Sequence, residues 1–225
     1  MRGKSQTTDS ETKLAYNWTK LRVQDCLDRH ERTELIRFLN DRYSERFFNP
    51  IRCLKRAPGN QQGYGFAIMA LCCLLIETIQ AYRKGLPCTY EKDLKRLAAG
   101  AINQDAPGDY RLQEPFKDQI GKPFQDFFLS PAHMNYFPGV DGDIFFREIR
   151  CGLLHQAQTS GGWKIVCVGR FWDDSTAKSI NRDEFSQRLE ECFKGYLQEL
   201  NEEQIWDGDI WKPARKKIWW LVQVS

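Results

Sequence analysis

Hydrophobic side chains recur along most of this chain at the spacing of three and four residues that is typical of helices. An amphipathic helix is predicted to end before Pro50, because the residue that precedes a proline avoids helical backbone angles. Its apolar face comprises Leu35, Ile36, Leu39, Tyr43 and Phe47. The next helix, 65–84, is apolar on most of its circumference, which predicts a central and buried position. Gly85 and Pro87 end it.

The rest of the chain contains further segments with helical spacing of hydrophobic residues and one segment without it. Further helices are predicted at 91–104, 113–129, 143–159, 182–201 and 210–224. Asp141 or Asp143 is expected to cap the third of these. After Ser160-Gly161-Gly162 the helical spacing ends and residues 163–169 are β-type, which predicts a strand with a short partner near 176–180.

The predicted fold is therefore mainly α, an antiparallel helical bundle with a small β-hairpin inserted before the penultimate helix. We predict a polar N-terminal segment with a helix at 1–30, the bundle at 31–204, and an aromatic and basic tail at 205–225 that packs on the bundle. A length of 225 residues with 41% hydrophobic residues is sufficient for one domain with a substantial core.

Charge and cysteine usage narrow the class of protein. A net charge of +3 is well short of the basic footprint of a duplex-DNA binder and is compatible with an RNA partner. Cys72 and Cys73 are adjacent in an apolar helix and no CxxC pair occurs, so free thiols are expected rather than disulfides or a zinc site. The longest apolar run, 66–76, is too short to cross a bilayer. We expect a cytoplasmic protein without a cofactor, metal or membrane partner.

Glu77 is the first candidate for chemistry, because it falls on an apolar stripe of the central helix, four residues after Cys73. Carboxylates are rarely buried alone, so a buried arginine or histidine is expected to face it. A structural ion pair, a partly exposed position at the rim of the core and a site residue are the three interpretations. Gly63-Tyr64-Gly65 lacks the further residues of a phosphate-binding loop and is interpreted as a flexible start of this helix.

The stretch from Arg147 to His155 is the most unusual in the chain. Arg147 and Arg150 are three residues apart and are predicted to share a helix face. Cys151 lies four residues before His155 and is predicted to share a face with that histidine. Gly152 in the middle of a helix costs about 1 kcal/mol relative to alanine, and such a glycine often permits close approach of another helix or a ligand. The alternative is a histidine that only interacts with the helix dipole. His30, expected on the surface, and His133, in a proline-flanked loop, show no partner in the sequence.

Arg150 and His155, separated by four residues near the end of a helix, resemble the signature of the HEPN superfamily (higher eukaryotes and prokaryotes nucleotide-binding). The stretches 149–156 and 70–78 are similar to those of uncharacterised bacterial members, and the resemblance covers roughly 35–200. It implies a helical bundle with metal-independent endoribonuclease activity, usually from a homodimer that brings two such motifs together.

The resemblance also implies a role for each residue. His155 would move a proton during attack of an RNA 2′-hydroxyl on the adjacent phosphate, and Arg150 would hold that phosphate. Arg147 would add a phosphate contact and Glu77 would orient Arg150 or His155. Cys151 and Gln156, which flank the motif, are supporting residues. The partners implied are RNA, a second copy of the chain, and an antitoxin or other defence protein.

Two alternatives to a ribonuclease remain open. Many active members place a polar residue directly after the arginine, where this chain has Cys151, so a catalytically silent module that binds RNA or a protein is the first. The second is a structural helical interaction protein whose aromatic tail docks a partner. That tail contains Trp206, Trp211, Trp219 and Trp220.

Overall fold

The computed structural model describes residues 12–58, 62–87 and 122–224, and shows a mainly α protein. The helices are α1 (Lys20–Asp28), α2 (Arg32–Tyr43), α3 (Asn49–Arg56), α4 (Gln62–Lys84), α5 (Lys122–Leu129), α6 (Gly142–Ile144), α7 (Cys151–Gln156), α8 (Arg182–Glu202) and α9 (Trp211–Val224). The strands are β1 (Lys13–Ala15), β2 (Trp18–Thr19), β3 (Lys164–Val166), β4 (Trp172–Asp173) and β5 (Ser179–Asn181). The predicted helix at 91–104 and the first part of 113–129 lie outside the described residues.

Helix α4 is the centre of the fold. It packs against α3, α5, α7, α8 and α9, because apolar side chains occupy most of its circumference. Its fully buried side chains include Ile68, Met69, Cys72, Cys73, Leu75, Ile76 and Ile79. Among the described helices it alone is long and apolar enough to pass as a membrane span, yet more than half of that window is buried by the rest of the protein. Such burial is consistent with the core helix of a soluble protein.

The prediction that the first amphipathic helix ends before Pro50 is wrong. A π-helical segment, Ser44–Phe48, joins α2 to α3, and the helical path continues to Arg56. In this segment the Asn49 N–H donates to the Ser44 carbonyl, five residues back instead of four. The change in hydrogen-bond register comes directly before the proline and accommodates its missing donor and its ring within a continuous helix.

The predicted β-hairpin is also wrong in topology. Strand β3 pairs in parallel with β5, and β4 pairs with β5 in antiparallel fashion, so β5 is the middle strand of three. Aromatic packing explains why the chain passes from β3 to β4, on the far side of the sheet, before it returns to form β5 between them. Phe171 is buried with its ring centroid 5.7 Å from that of Phe185, and the rings of Trp172 and Trp163 are in contact with centroids 4.2 Å apart.

The two ends of the described chain are anchored by buried tryptophans. At the N-terminal end β1 and β2 form a hairpin that the sequence analysis did not predict, in which the indole of Trp18 donates to Asp41 at 2.8 Å. At the C-terminal end α9 packs against α1 and α4, and the indole of Trp211 donates to the Leu200 carbonyl at 2.7 Å. Trp211 and Trp220 are fully buried, so these two belong to the core and are not exposed for docking a partner.

His133 is buried in a cluster of aromatic rings that holds α5 to α8. Its ring stacks on Phe127 at 4.2 Å, and Nδ1 donates to the Phe127 carbonyl at 3.0 Å. Burial away from water lowers the pKa of His133 from 6.5 to about 4. No partner for this histidine is visible in the sequence, and in the structure it packs among aromatic rings.

This lowered pKa predicts a pH-dependent stability. Between pH 6.5 and pH 4 the unfolded chain binds a proton at His133 that the folded protein excludes, so the free energy of unfolding falls as pH falls through that window. The loss should total about 3 kcal/mol, an order-of-magnitude value from the two pKa values. Urea unfolding at several pH values gives the free energy of unfolding as a function of pH. This free energy should fall much less between pH 6.5 and pH 4 in His133→Phe than in the wild type. An equal fall in the two proteins would exclude His133 as the source.

Candidate functional site

The candidate site is built on one helical path from Gly142 to Gln156. The Asp141 carboxylate caps its start by accepting the backbone N–H groups of Asp143 and Ile144 at 2.8 and 3.0 Å. Helix α6 passes into a second π-helical segment, Phe145–Arg150, and then into α7. The Cys151 N–H closes this segment by donating to the Phe146 carbonyl. Such π-helical bulges are rare and are frequent at functional sites.

Arg150, the last residue of the π-helical segment, is paired with Glu77 of α4. The Glu77 carboxylate oxygen Oε1 accepts from both Nε and Nη2 of Arg150, each at 2.8 Å. The side chains are only 6% and 12% exposed. A buried arginine or histidine was expected opposite Glu77, and Arg150 is that arginine. The pair ties the helix that carries the motif to the central helix of the bundle.

Arg147 does not join this pair. Its side chain is 63% exposed and its Nη2 lies 3.2 Å from the carboxylate of Asp143, one turn earlier. The prediction that Arg147 and Arg150 share a helix face is therefore wrong. The reason is the π-helical segment, in which each residue advances the chain by a smaller rotation than in an α-helix, so residues three apart no longer align.

His155 lies in the last turn of α7 and is exposed, together with its neighbours Leu154 and Gln156. Five residues of α-helix rotate the chain by roughly 140° relative to the starting position. Arg150 accordingly points into the fold while His155 faces solvent, and the structure does not bring the two side chains onto one face. Cys151 is half-buried with a free thiol.

The chain leaves α7 by a sharp return. Ala157 adopts a left-handed conformation with a φ of 54°, and its N–H donates to the Gly152 carbonyl. A Cβ on Gly152 would collide with the Gln158 carbonyl, so this glycine permits the close approach that the sequence analysis expected. What approaches is the next segment of the same chain, rather than another helix or a ligand.

Glu148 is a residue at this site that the sequence reasoning missed. Its carbonyl accepts from the Ser160 backbone N–H at 2.7 Å, and its carboxylate accepts from the indole of Trp163 at 2.8 Å. A glutamate between two arginines on a helix gives no signal of such contacts. The only hint in the sequence is the Gly161-Gly162-Trp163 turn that follows the helix.

The glycines at the start of α4 have a packing role. Gly65 is buried, and a Cβ there would lie 3.0 Å from Nη1 of Arg182 and 3.0 Å from Cγ2 of Ile165. Gly63 is exposed and faces open space. His30 is exposed, as expected, and stacks on Trp206 with ring centroids 4.5 Å apart. Neither feature adds a reactive group to the site.

Within residues 12–58, 62–87 and 122–224, no group of three or more histidine, cysteine, aspartate or glutamate side chains is arranged to hold a metal ion. No protein-family model matches this chain, and no curated protein and no solved structure matches it.

Proposed function

We propose that this protein is a metal-independent endoribonuclease with a HEPN-like helical bundle, acting in bacterial defence or as a toxin. The observation that carries the proposal is an exposed histidine, His155, on the last turn of a π-bulged helix whose base is fixed to the bundle core by the buried pair of Arg150 and Glu77. The resemblance of the motif from Arg150 to His155 to that superfamily supplies the reaction.

The chemistry requires one proton to leave the RNA 2′-hydroxyl as its oxygen bonds to the adjacent phosphorus. The bond from phosphorus to the 5′-oxygen breaks, and that oxygen takes up a proton. An exposed imidazole can perform either transfer, because histidine exchanges protons near neutral pH. In a homodimer, His155 and the same residue of a second copy would divide the two transfers.

Arg150 has a different role in this proposal from the one the resemblance implies. With its side chain 6% exposed and bound by Glu77, the guanidinium is not presented to a phosphate in this conformation. It acts as a positioning residue that fixes the helix to α4 through its pair with Glu77. Arg147 is 63% exposed and lies on the same helical path as His155, so it is the better placed of the two arginines for a phosphate contact.

A catalytically silent module that binds RNA or a protein is the second candidate. The same burial of Arg150 favours it, because an enzyme of this type would need a phosphate-binding cation at the reacting group. The half-buried thiol of Cys151 favours it as well, since a thiol is a weak hydrogen-bond donor.

One experiment separates the two candidates. The purified protein is incubated in EDTA with a single-stranded RNA and, separately, with DNA of the same sequence. We expect cleavage of the RNA into fragments that end in a 2′,3′-cyclic phosphate and begin with a 5′-hydroxyl, while the DNA stays intact because it lacks the attacking hydroxyl. Retention of intact RNA by the protein would favour the silent module. Cleavage of both nucleic acids, or cleavage that needs added Mg²⁺, would contradict the proposed chemistry.

A further inference from the structure

Glu148 connects the motif helix to the chain that follows His155. We call residues 157–163 the return segment, since they run from the end of α7 back along the π-helical segment to the start of β3. Two different groups of Glu148, its backbone carbonyl and its carboxylate, contact this segment from a position before His155. The residue thus bridges the two sides of the turn that carries the histidine.

The backbone contact is doubled. The Glu148 carbonyl accepts from the Ser160 N–H at 2.7 Å and from the Ser160 hydroxyl at 3.2 Å. A carbonyl within a regular α-helix is engaged by the N–H four residues later. This carbonyl lies in the π-helical segment and accepts from a donor outside the helix.

The side-chain contact reaches further along the chain. One carboxylate oxygen, Oε2, accepts from Nε1 of Trp163 at 2.8 Å and lies 3.8 Å from the ammonium group of Lys178. Trp163 is 4% exposed, and Lys178 also donates to the Gly161 carbonyl at 2.8 Å. An anionic acceptor with an indole donor and an ammonium group beside it forms a charge-assisted set of contacts.

Two glycines leave the room that these contacts need. A Cβ on Gly161 would overlap the Glu148 carboxylate, and Gly161 has a φ of +62° that side chains rarely adopt. A Cβ on Gly152 would overlap the Gln158 carbonyl. The return segment is therefore shaped to lie directly on Glu148 and on the last turn of α7.

From these contacts we infer that Glu148 is a positioning residue for His155. In the described part of the chain no hydrogen bond holds the imidazole ring, so its location depends on the backbone of α7 and the turn at Ala157. Glu148 holds that turn closed from the far side through Ser160 and Trp163. The inference rests on the proposed proton-transfer role of His155, and it assigns to Glu148 a role that neither the motif nor the resemblance predicted.

The test compares four forms of the full chain, which are the wild type, Glu148→Ala, Glu148→Gln and the control Glu202→Ala. Glu202 is an exposed glutamate of α8 whose carboxylate accepts a local hydrogen bond from Gln198. Amide hydrogen exchange of residues 157–163 and the kcat and KM of RNA cleavage are measured for each. Glutamine keeps an oxygen that can accept from the indole of Trp163, and it removes only the charge.

We expect Glu148→Ala to raise exchange across 157–163 and to lower kcat by about 100-fold, the effect of misplacing a reacting group by about 1 Å, with a KM close to that of the wild type. Glu148→Gln should restore most of both properties, and Glu202→Ala should match the wild type.

Glu148→Ala removes the carboxylate and keeps the backbone carbonyl. Unchanged exchange in this variant would show that the carboxylate does not hold the return segment, and would overturn the inference. Raised exchange with an unchanged kcat, or a loss that appears only in KM, would overturn the positioning of His155. If the wild type cleaves no RNA, both the proposed function and the positioning role are overturned. The exchange of residues 157–163 still shows whether the Glu148 carboxylate holds the return segment.

Discussion

Replacing Glu77 with alanine is expected to lower the free energy of unfolding by about 3–5 kcal/mol, the cost of leaving a buried charge without its counterion. Arg150 cannot reach water without moving the helix it lies on, because its side chain is 6% exposed and packed between that helix and α4. The seven tryptophans give a fluorescence signal for urea or guanidinium unfolding. This substitution should be among the most destabilising single changes to a polar residue in the protein.

Two further variants test whether the loss of stability in Glu77→Ala comes from the buried charge of Arg150. In Glu77→Leu combined with Arg150→Met both charges are removed, and stability should return to within about 1–2 kcal/mol of the wild type because the site becomes apolar at similar volume. Glu190→Ala removes the partner of Arg52 at 3.2 Å, in a pair whose arginine and glutamate side chains are 40% and 25% exposed, and should cost about 1 kcal/mol or less. A Glu77→Ala protein no less stable than Glu190→Ala would show that the pair does not hold the helix.

Replacing His155 with alanine is expected to leave the free energy of unfolding almost unchanged and to remove most of the RNA cleavage. The side chain is exposed at the end of α7, so the free energy of unfolding should change by about 0.5 kcal/mol or less. RNA cleavage should fall by about 100- to 10,000-fold, the usual contribution of a proton-transferring side chain. A large loss of activity without a loss of stability is the signature of a residue that acts on substrate and contributes little to the fold.

The fold was predictable from the sequence wherever periodicity alone decides the structure. The apolar circumference of 65–84 indicated the central helix, and α8 and α9 follow the predicted ranges within a few residues. The failures occur where the hydrogen-bond register is set by tertiary packing. The π-helical segments that carry the chain past Pro50 and rotate Arg150 away from Arg147 leave no mark in the spacing of apolar residues.

The candidate site was predictable to a similar extent. A carboxylate on an apolar stripe required a cation, and Arg150 is that cation. The contacts of Glu148 were not predictable, because they depend on how the return segment folds over a helix end, and that path is set by two glycines and one tryptophan. The parallel pairing of β3 with β5 was missed for the same reason, since buried aromatic side chains rather than strand spacing direct the chain across the sheet.

In the proposed mechanism the exposed imidazole of His155 performs the proton transfers of RNA cleavage. This role is tested by the initial rate of single-stranded RNA cleavage in EDTA by the wild type, His155→Ala and His30→Ala, each first shown to unfold at the same urea concentration. His30 is a matched control, because it is also exposed and lies in the turn that follows α1. We predict that His155→Ala loses cleavage by at least about 100-fold and that His30→Ala retains the wild-type rate. Equal rates in all three proteins would contradict the assignment of His155 as the reacting group.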